Sequence, residues 1–248
     1  MDSVYETKTC YYLIFELFSG GNLKDYIKQH GVFSEDNAIY IIRNILEGLR
    51  YLHEKNIMHR DIKPENILFR TANIFEPNQI VIADFGLATY NNVDEYIYGR
   101  CGTPGFVAPE IYAFVKPTDH YGLKCDLFSV GVTFFYMLTG TLPYAGFGSL
   151  IEDNMALRIE ISKIANFSIQ GFFLEFIVFF RIIFCFLAKN FFWKLFCVQD
   201  KRYDVNQALK NEILRDKSLN TFEETEGECG DRDISLLSSN LQEFNAFF

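Results

Sequence analysis

The stretch from Leu127 to Leu138 reads LFSVGVTFFYML, twelve residues without a charge. A helix that is apolar on every side has no face to offer water, so it must be covered all round. It falls short of the roughly 20 residues that cross a bilayer, and it closes on Gly140 and Pro143, residue types that end helices. The chain must therefore enclose this helix in a protein interior, and its 248 residues suffice for one substantial core.

The neighbouring pattern supplies other elements. Tyr11 to Leu17 is β-branched and aromatic and ends at Ser19-Gly20-Gly21, so it predicts a strand leaving a core. Leu23 to His30 predicts a short helix stopped by Gly31. Ser34 before Glu35 and Asp36 predicts a helix N-terminus, with the hydroxyl taking an orphan amide and the acids meeting the positive dipole end. The helix that follows places Ala38, Ile42, Ile45, Leu49 and Leu52 on one face and leaves Arg43, Glu47 and Arg50 to solvent. Ile67 to Phe69 and Ile80 to Ala83 predict a hairpin.

Chemistry concentrates between these elements. His59-Arg60-Asp61-Ile62-Lys63-Pro64-Glu65-Asn66 follows the long helix, Asp84-Phe85-Gly86 follows the second hairpin strand, and Ala108-Pro109-Glu110 comes next. In this order and spacing the three motifs resemble those of the eukaryotic protein kinases, of the serine/threonine type. Phosphoryl transfer depends on positioning a hydroxyl and metal ions, for which acids and an amide suffice.

The resemblance implies an α+β, protein-kinase-like fold: mainly the α-helical C-lobe, over residues 18–210, with a remnant of the N-lobe β-sheet and the start of the hinge in residues 1–17. It implies ATP and Mg2+ as cofactors and a protein Ser/Thr as acceptor. Asp61 becomes the base or orienter for the substrate hydroxyl, Lys63 meets the transferring phosphate, and Asn66 and Asp84 hold magnesium. Phe15 stands at the gatekeeper position, Glu16 and Phe18 offer backbone groups to adenine, Asn22 lies near the ribose, and Leu68 is the floor under adenine. Asp126 matches the acid that anchors the catalytic loop from below, and Glu110 matches the acid that pairs with an arginine, for which Arg202 is the candidate. Gly102-Thr103-Pro104-Gly105 resembles the substrate-docking loop of calcium/calmodulin-dependent and related kinases. Asp94 to Arg100 holds no Ser or Thr, which leaves Tyr96, Tyr98, Asp94 and Glu95 as candidate partners for Arg60. Glu65 matches an acid that reads arginine in a substrate, with Tyr136 where a second acid often stands, a weak lean toward basic-context sites.

Two departures stand out. No GxGxxG occurs, and the residues ahead of Tyr11 are too few for three strands and a helix, so the Gly-rich loop, the strand lysine and its glutamate partner are expected to be missing. Residues 172–197 carry ten of the 27 Phe. About 171–187 reads as an insertion between Asn166-Phe167-Ser168 and Ala188 to Phe192. An unremoved intron is the favoured origin, ahead of a real insertion or a membrane-binding element. A non-catalytic, pseudokinase-like binding module and a membrane-attached regulator using 172–197 are the alternative functions.

Charge and cysteines bound the rest. The net charge of −9 argues against nucleic acid as a partner. Residues 216–248 hold eight acids against Lys217 and Arg232, which predicts an acidic flexible tail over 211–248, with Ile234, Leu237, Leu241 and Phe244 spaced for a short helix. Six scattered cysteines without metal-ligand spacing and the lack of a visible signal point to a cytoplasmic protein.

Overall fold

The computed structural model describes residues 2–91, 99–113, 121–143 and 185–215. The chain opens with β1 (Ser3–Glu6) and β2 (Tyr11–Ile14), then α1 (Leu23–His30) and α2 (Glu35–Glu54). Next come β3 (Ile57–Met58), β4 (Ile67–Phe69), β5 (Ile80–Ile82) and β6 (Thr89–Tyr90). The helices α3 (Pro109–Ala113), α4 (Lys124–Thr139), α5 (Phe186–Leu195) and α6 (Val205–Leu209) complete the described elements. The strands pair antiparallel as β1 with β2, β3 with β6 and β4 with β5.

Helices α1, α2, α5 and α6 begin where their sequence supplies a cap, whereas α4 starts after Leu123 without one. Asn22 Oδ1 accepts from Asp25 N at the head of α1, Ser34 does the same for Asn37 N on α2, and Asp204 forms a reciprocal capping box with Gln207 on α6. Ala38, Ile42, Ile45 and Leu49 are fully buried on α2, whereas Arg43, Glu47 and Arg50 are exposed. Leu52, at the end of the same face, is half-buried.

The helix α4 is the hub. Thirteen of its residues are buried around the circumference, and Gly140 ends it in the left-handed conformation at φ 71°. Helix α2 packs on α4 and α6, and α5 packs on the other side of α4. There Phe134 meets Phe191 edge-on at 5.7 Å, Phe135 meets Phe192 at 5.4 Å, and Phe128 stacks on Phe196 at 4.8 Å. Each such buried ring contributes roughly 1.5–3 kcal/mol. The approach of α4 to α5 requires Gly131, since a Cβ there would lie 2.9 Å from Leu195 Cβ.

The Phe-rich stretch therefore divides by what can be described. Cys185 caps α5 and Phe186–Leu195 form it, so Phe191, Phe192 and Phe196 belong to the core. Residues 171–184, 216–248 and Asp94 to Tyr98 lie outside the described residues; of the predicted tail, 211–215 are described, and there Ile213 and Leu214 are buried in the core. All described residues fall in one compact unit, Met1–Arg215.

The first strand pair departs from expectation. Strand β2 ends at Ile14 rather than running to Leu17, and both of its faces are exposed instead of leaving a core. Tyr5, Tyr11, Tyr12, Leu13, Phe15 and Leu17 all present apolar area to solvent. A two-stranded sheet has no second layer of its own to cover either face.

Candidate active site

The loop between β3 and β4 is held from beneath. Asp126, fully buried in the first turn of α4, accepts hydrogen bonds from His59 N at 2.9 Å, Arg60 N at 2.8 Å and His53 Nε2 at 3.0 Å. Burial alone would raise the pKa of this carboxyl, but the bonds from His53 and the two amides outweigh it and hold it below the usual carboxylate value. The amide donors fix Arg60 in the left-handed region at φ 67°. The His59 ring spans onward, with Asp61 N donating to Nδ1 at 3.3 Å and Nε2 donating to Ala83 O at 3.0 Å.

This anchoring presents Asp61, Lys63 and Asn66 as one cluster. Asp61 Oδ1 accepts from Thr103 Oγ1 at 2.6 Å, and Oδ2 lies 2.9 Å from Lys63 Nζ and 3.1 Å from Asn66 Nδ2. Lys63 Nζ also donates to Thr103 Oγ1 at 2.7 Å, and Asn66 Nδ2 reaches the Asp61 carbonyl at 2.9 Å. Burial pushes the Asp61 pKa up. Lys63, Thr103 and Asn66 more than reverse it, so the group sits below the ordinary range and is ionised at neutral pH. Gly102 permits the close approach of Thr103, because a Cβ there would lie 2.7 Å from Arg60 O.

The short hairpin brings in Asp84. Ile67 pairs with Ile82, and Ala83 N donates to Asn66 O at 2.9 Å, so Asn66 and Asp84 sit at the same end of β4 and β5. Asp84 is exposed, has φ 61°, and turns Oδ1 back to Gly86 N at 3.1 Å. Left-handed backbone at residues other than glycine concentrates at functional sites. Of four such residues described, Arg60 and Asp84 lie here; Asp84, Asn56 and Asn78 are of the residue types that tolerate it, and Arg60 is not.

The donor set suits magnesium. Asn66 uses Nδ2 for both its bonds, leaving Oδ1 for a cation, and the Asp84 carboxylate supplies further oxygen. Among the described residues no group of three or more His, Cys, Asp or Glu gathers to form a closed metal site.

The residues expected around a nucleotide lie along one edge. Ser19 N and Gly20 N donate to Arg70 O and Phe69 O, Phe69 N donates to Gly21 O, and Asn22 bridges Leu68, so this segment extends the β4 edge. The Glu16 carboxylate ion-pairs with Arg70, whose guanidinium lies over the Phe18 ring at 5.6 Å. Among the described residues the backbone groups of Glu16, Leu17 and Phe18 take no backbone partner, while Phe15 is exposed and Leu68 half-buried. Asn22 is committed at both ends of its amide, Oδ1 to Asp25 N at 2.9 Å and Nδ2 to Asp25 Oδ2 at 2.7 Å.

Glu110 and Arg202 meet in a two-pronged pair, 2.5 and 3.0 Å, inside the lobe. Arg202 further donates to the carbonyls of Lys124 and Cys197 and lies over Phe128. Sequence reasoning missed the clasp of Thr103 on Asp61 and Lys63. It also missed His53, whose place as the second-to-last residue of α2 is the sequence signal for a contact with the following loop.

Comparison with known proteins agrees with this geometry. The family model described as protein kinase domain matches residues 1–179. A calcium/calmodulin-dependent protein kinase type 1 of Macrobrachium nipponense is 35% identical over 218 residues, which cover 88% of this chain and 57% of that protein. A probable serine/threonine-protein kinase of Dictyostelium discoideum is 42% identical over 141 residues, covering 57% of this chain and 23% of the relative. The Arabidopsis thaliana serine/threonine-protein kinase PEPKR2 is 38% identical over 146 residues, 59% of this chain and 29% of its own. The chain thus spans less than two thirds of the length of each of these relatives. With the catalytic-loop cluster, the hairpin acid and the Glu110–Arg202 pair in place, the chain belongs to the protein kinase domain family, with an α+β fold.

Proposed function

We propose that this chain carries the catalytic half of an ATP- and magnesium-dependent protein serine/threonine kinase. The observation that carries the reading is the cluster in which Thr103 donates a hydroxyl to Asp61 at 2.6 Å while Lys63 contacts both. A carboxylate held below its ordinary pKa is a weak proton acceptor, so Asp61 acts chiefly by orienting a substrate hydroxyl, much as it already orients that of Thr103. Lys63 supplies positive charge beside the oxygen that receives the phosphoryl group. Asn66 Oδ1 and Asp84 hold magnesium, which when bound neutralises charge on the transferring phosphate. The unpartnered backbone of Glu16 and Phe18 supports adenine binding, and Leu68 supports the floor.

Substrate preference follows from Glu65. Its carboxylate is partly exposed and pairs with Lys24 through Oε1 at 2.6 Å, a site for positive charge that supports a basic residue near the phosphorylated Ser or Thr. Free thiols at Cys10, Cys101, Cys125, Cys185 and Cys197 support a cytoplasmic setting.

None of the 248 residues supplies a Gly-rich loop or its partner lysine. We therefore expect transfer well below the roughly 1–100 per second of complete kinases. Peptide phosphorylation is measured with labelled ATP on the chain alone and fused to a kinase N-lobe. The fusion gains activity, and Asp61→Asn or Asp84→Asn removes it. An ordinary turnover by the chain alone, or a fusion indifferent to both substitutions, contradicts the reading. A second reading, a non-catalytic binding module, is favoured by the uncovered β1–β2 pair; under it the fusion stays inactive. For a membrane-attached regulator, no described helix is long and apolar enough to span a bilayer, and residues 172–184 lie outside the described ones. Liposome flotation tests that alternative.

A further inference from the structure

We propose that Tyr121 is a positioning residue for the catalytic loop: its phenol, acting through Arg60, fixes Asp61 and clasps the loop to residues 99–103. The proposal rests on the kinase reading for its meaning, but not for its test.

Arg60 needs holding. It occupies the left-handed backbone region at φ 67°, which a side chain of this size seldom adopts, directly ahead of Asp61. Asp126 holds its amide at 2.8 Å, and its side chain is held at two further points: Nε donates to Leu87 O at 2.6 Å and Nη1 donates to the Tyr121 hydroxyl at 2.9 Å. Leu87 lies on an exposed stretch, whereas Tyr121 is only 2% exposed and sits three residues ahead of α4. Of these two side-chain contacts the phenol is thus the one fixed to the core. No carboxylate pairs with Arg60 among the described residues.

The phenol is polarised for the task. It donates its proton to Gly99 O at 3.0 Å, which turns its lone pairs toward the guanidinium. Burial and the neighbouring Cys101 thiol, 3.7 Å away, outweigh Arg60 and keep the group protonated far above the ordinary range. Loss of that proton would abolish the donor that Gly99 requires. The result is a relay of hydrogen bonds, from the Arg60 guanidinium to the Tyr121 hydroxyl to Gly99 O, running beside the contact of Thr103 with Asp61. The two ties join the same pair of segments.

The test is amide hydrogen exchange on the full chain, comparing the original sequence with Tyr121→Phe, Arg60→Met and the double variant. Phenylalanine keeps the ring and removes only the hydroxyl. Exchange at residues 60–62 rises about tenfold in Tyr121→Phe, as for loss of one hydrogen bond to a charged group, while the amides of α2 keep their rates. Added to Arg60→Met, the same substitution has no further effect, since a residue acting through Arg60 has nothing left to act on. The Arg60 Nε–H resonance, identified by its loss in Arg60→Met, shifts and exchanges faster in Tyr121→Phe. Additive effects in the double variant, or an unmoved resonance, would mean that Tyr121 is packing only and overturn the proposal. As a measurement needing no variant, phosphatase treatment of the original chain leaves protection at 60–62 unchanged; its collapse would show that a phosphate is the true clasp. Failure of the kinase reading would appear separately, as absent phosphoryl transfer by the N-lobe fusion with these exchange rates intact.

Discussion

At the scale of single residues, Asp126 stabilises the molecule by accepting from His53 Nε2 and the amides of His59 and Arg60 in the interior. Asp126→Ala strands His53 Nε2 and the amides of His59 and Arg60 in the interior, and it lowers the unfolding free energy by roughly 3–5 kcal/mol in urea titrations. The same carboxyl and Asp61 set the acid limit. Both have folded pKa values depressed below those of the unfolded chain, so their contribution is complete above the ordinary carboxylate range and drains away as pH falls through the folded values, that is below about pH 4. Urea midpoints measured from neutral pH downward fall in that window, and Asp126→Asn, which removes one titration, makes the fall shallower.

At the scale of elements, the tightest joint is where α4 crosses α5. Gly131→Val forces a side chain against Leu195 and destabilises by roughly 1–3 kcal/mol, read as a lowered urea midpoint with unchanged slope. These helices also show how much was legible in the sequence. The unbroken apolar run of α4, the 3.6-residue rhythm of α2 and the Ser34 and Asn22 caps each encode their element locally, and the structure has them there. The three motifs likewise indicated Asp61, Asn66, Asp84 and Glu110 as neighbours of chemistry, and the resemblance added Asp126. What could not be read is contact made across loops. Strands β3 and β6 have two residues each, too few for any period, and Thr103 meets Asp61 from 42 positions away through a glycine whose importance lies in a missing Cβ. Tyr121 similarly looks like any loop tyrosine until the fold sets it against Arg60. The residue types of Tyr11 to Leu17 predict a strand leaving a core, yet burial depends on layers that those residues do not themselves provide.

At the scale of the whole molecule, the lobe centred on α4 is well covered and the β1–β2 pair is not. Val4→Thr with Leu13→Thr therefore changes the unfolding free energy by no more than about 0.5 kcal/mol, while lowering self-association in sedimentation experiments because exposed apolar area is reduced. Deleting residues 171–184 while keeping Cys185, the cap of α5, is expected to raise solubility and leave the Asp61 cluster intact; an unfolded deletion variant by circular dichroism would show that the stretch is core. The Glu110–Arg202 pair sets a schedule on top of this architecture. Its members are 92 residues apart, and both prongs of the guanidinium are needed where Arg202 is almost wholly buried. A ribosome adding about 5–20 residues per second takes roughly 5–18 s to travel from one to the other. For that interval the emerging lobe holds a carboxylate waiting for its counter-charge, so the last joint of the domain closes only after nearly all of it has been translated.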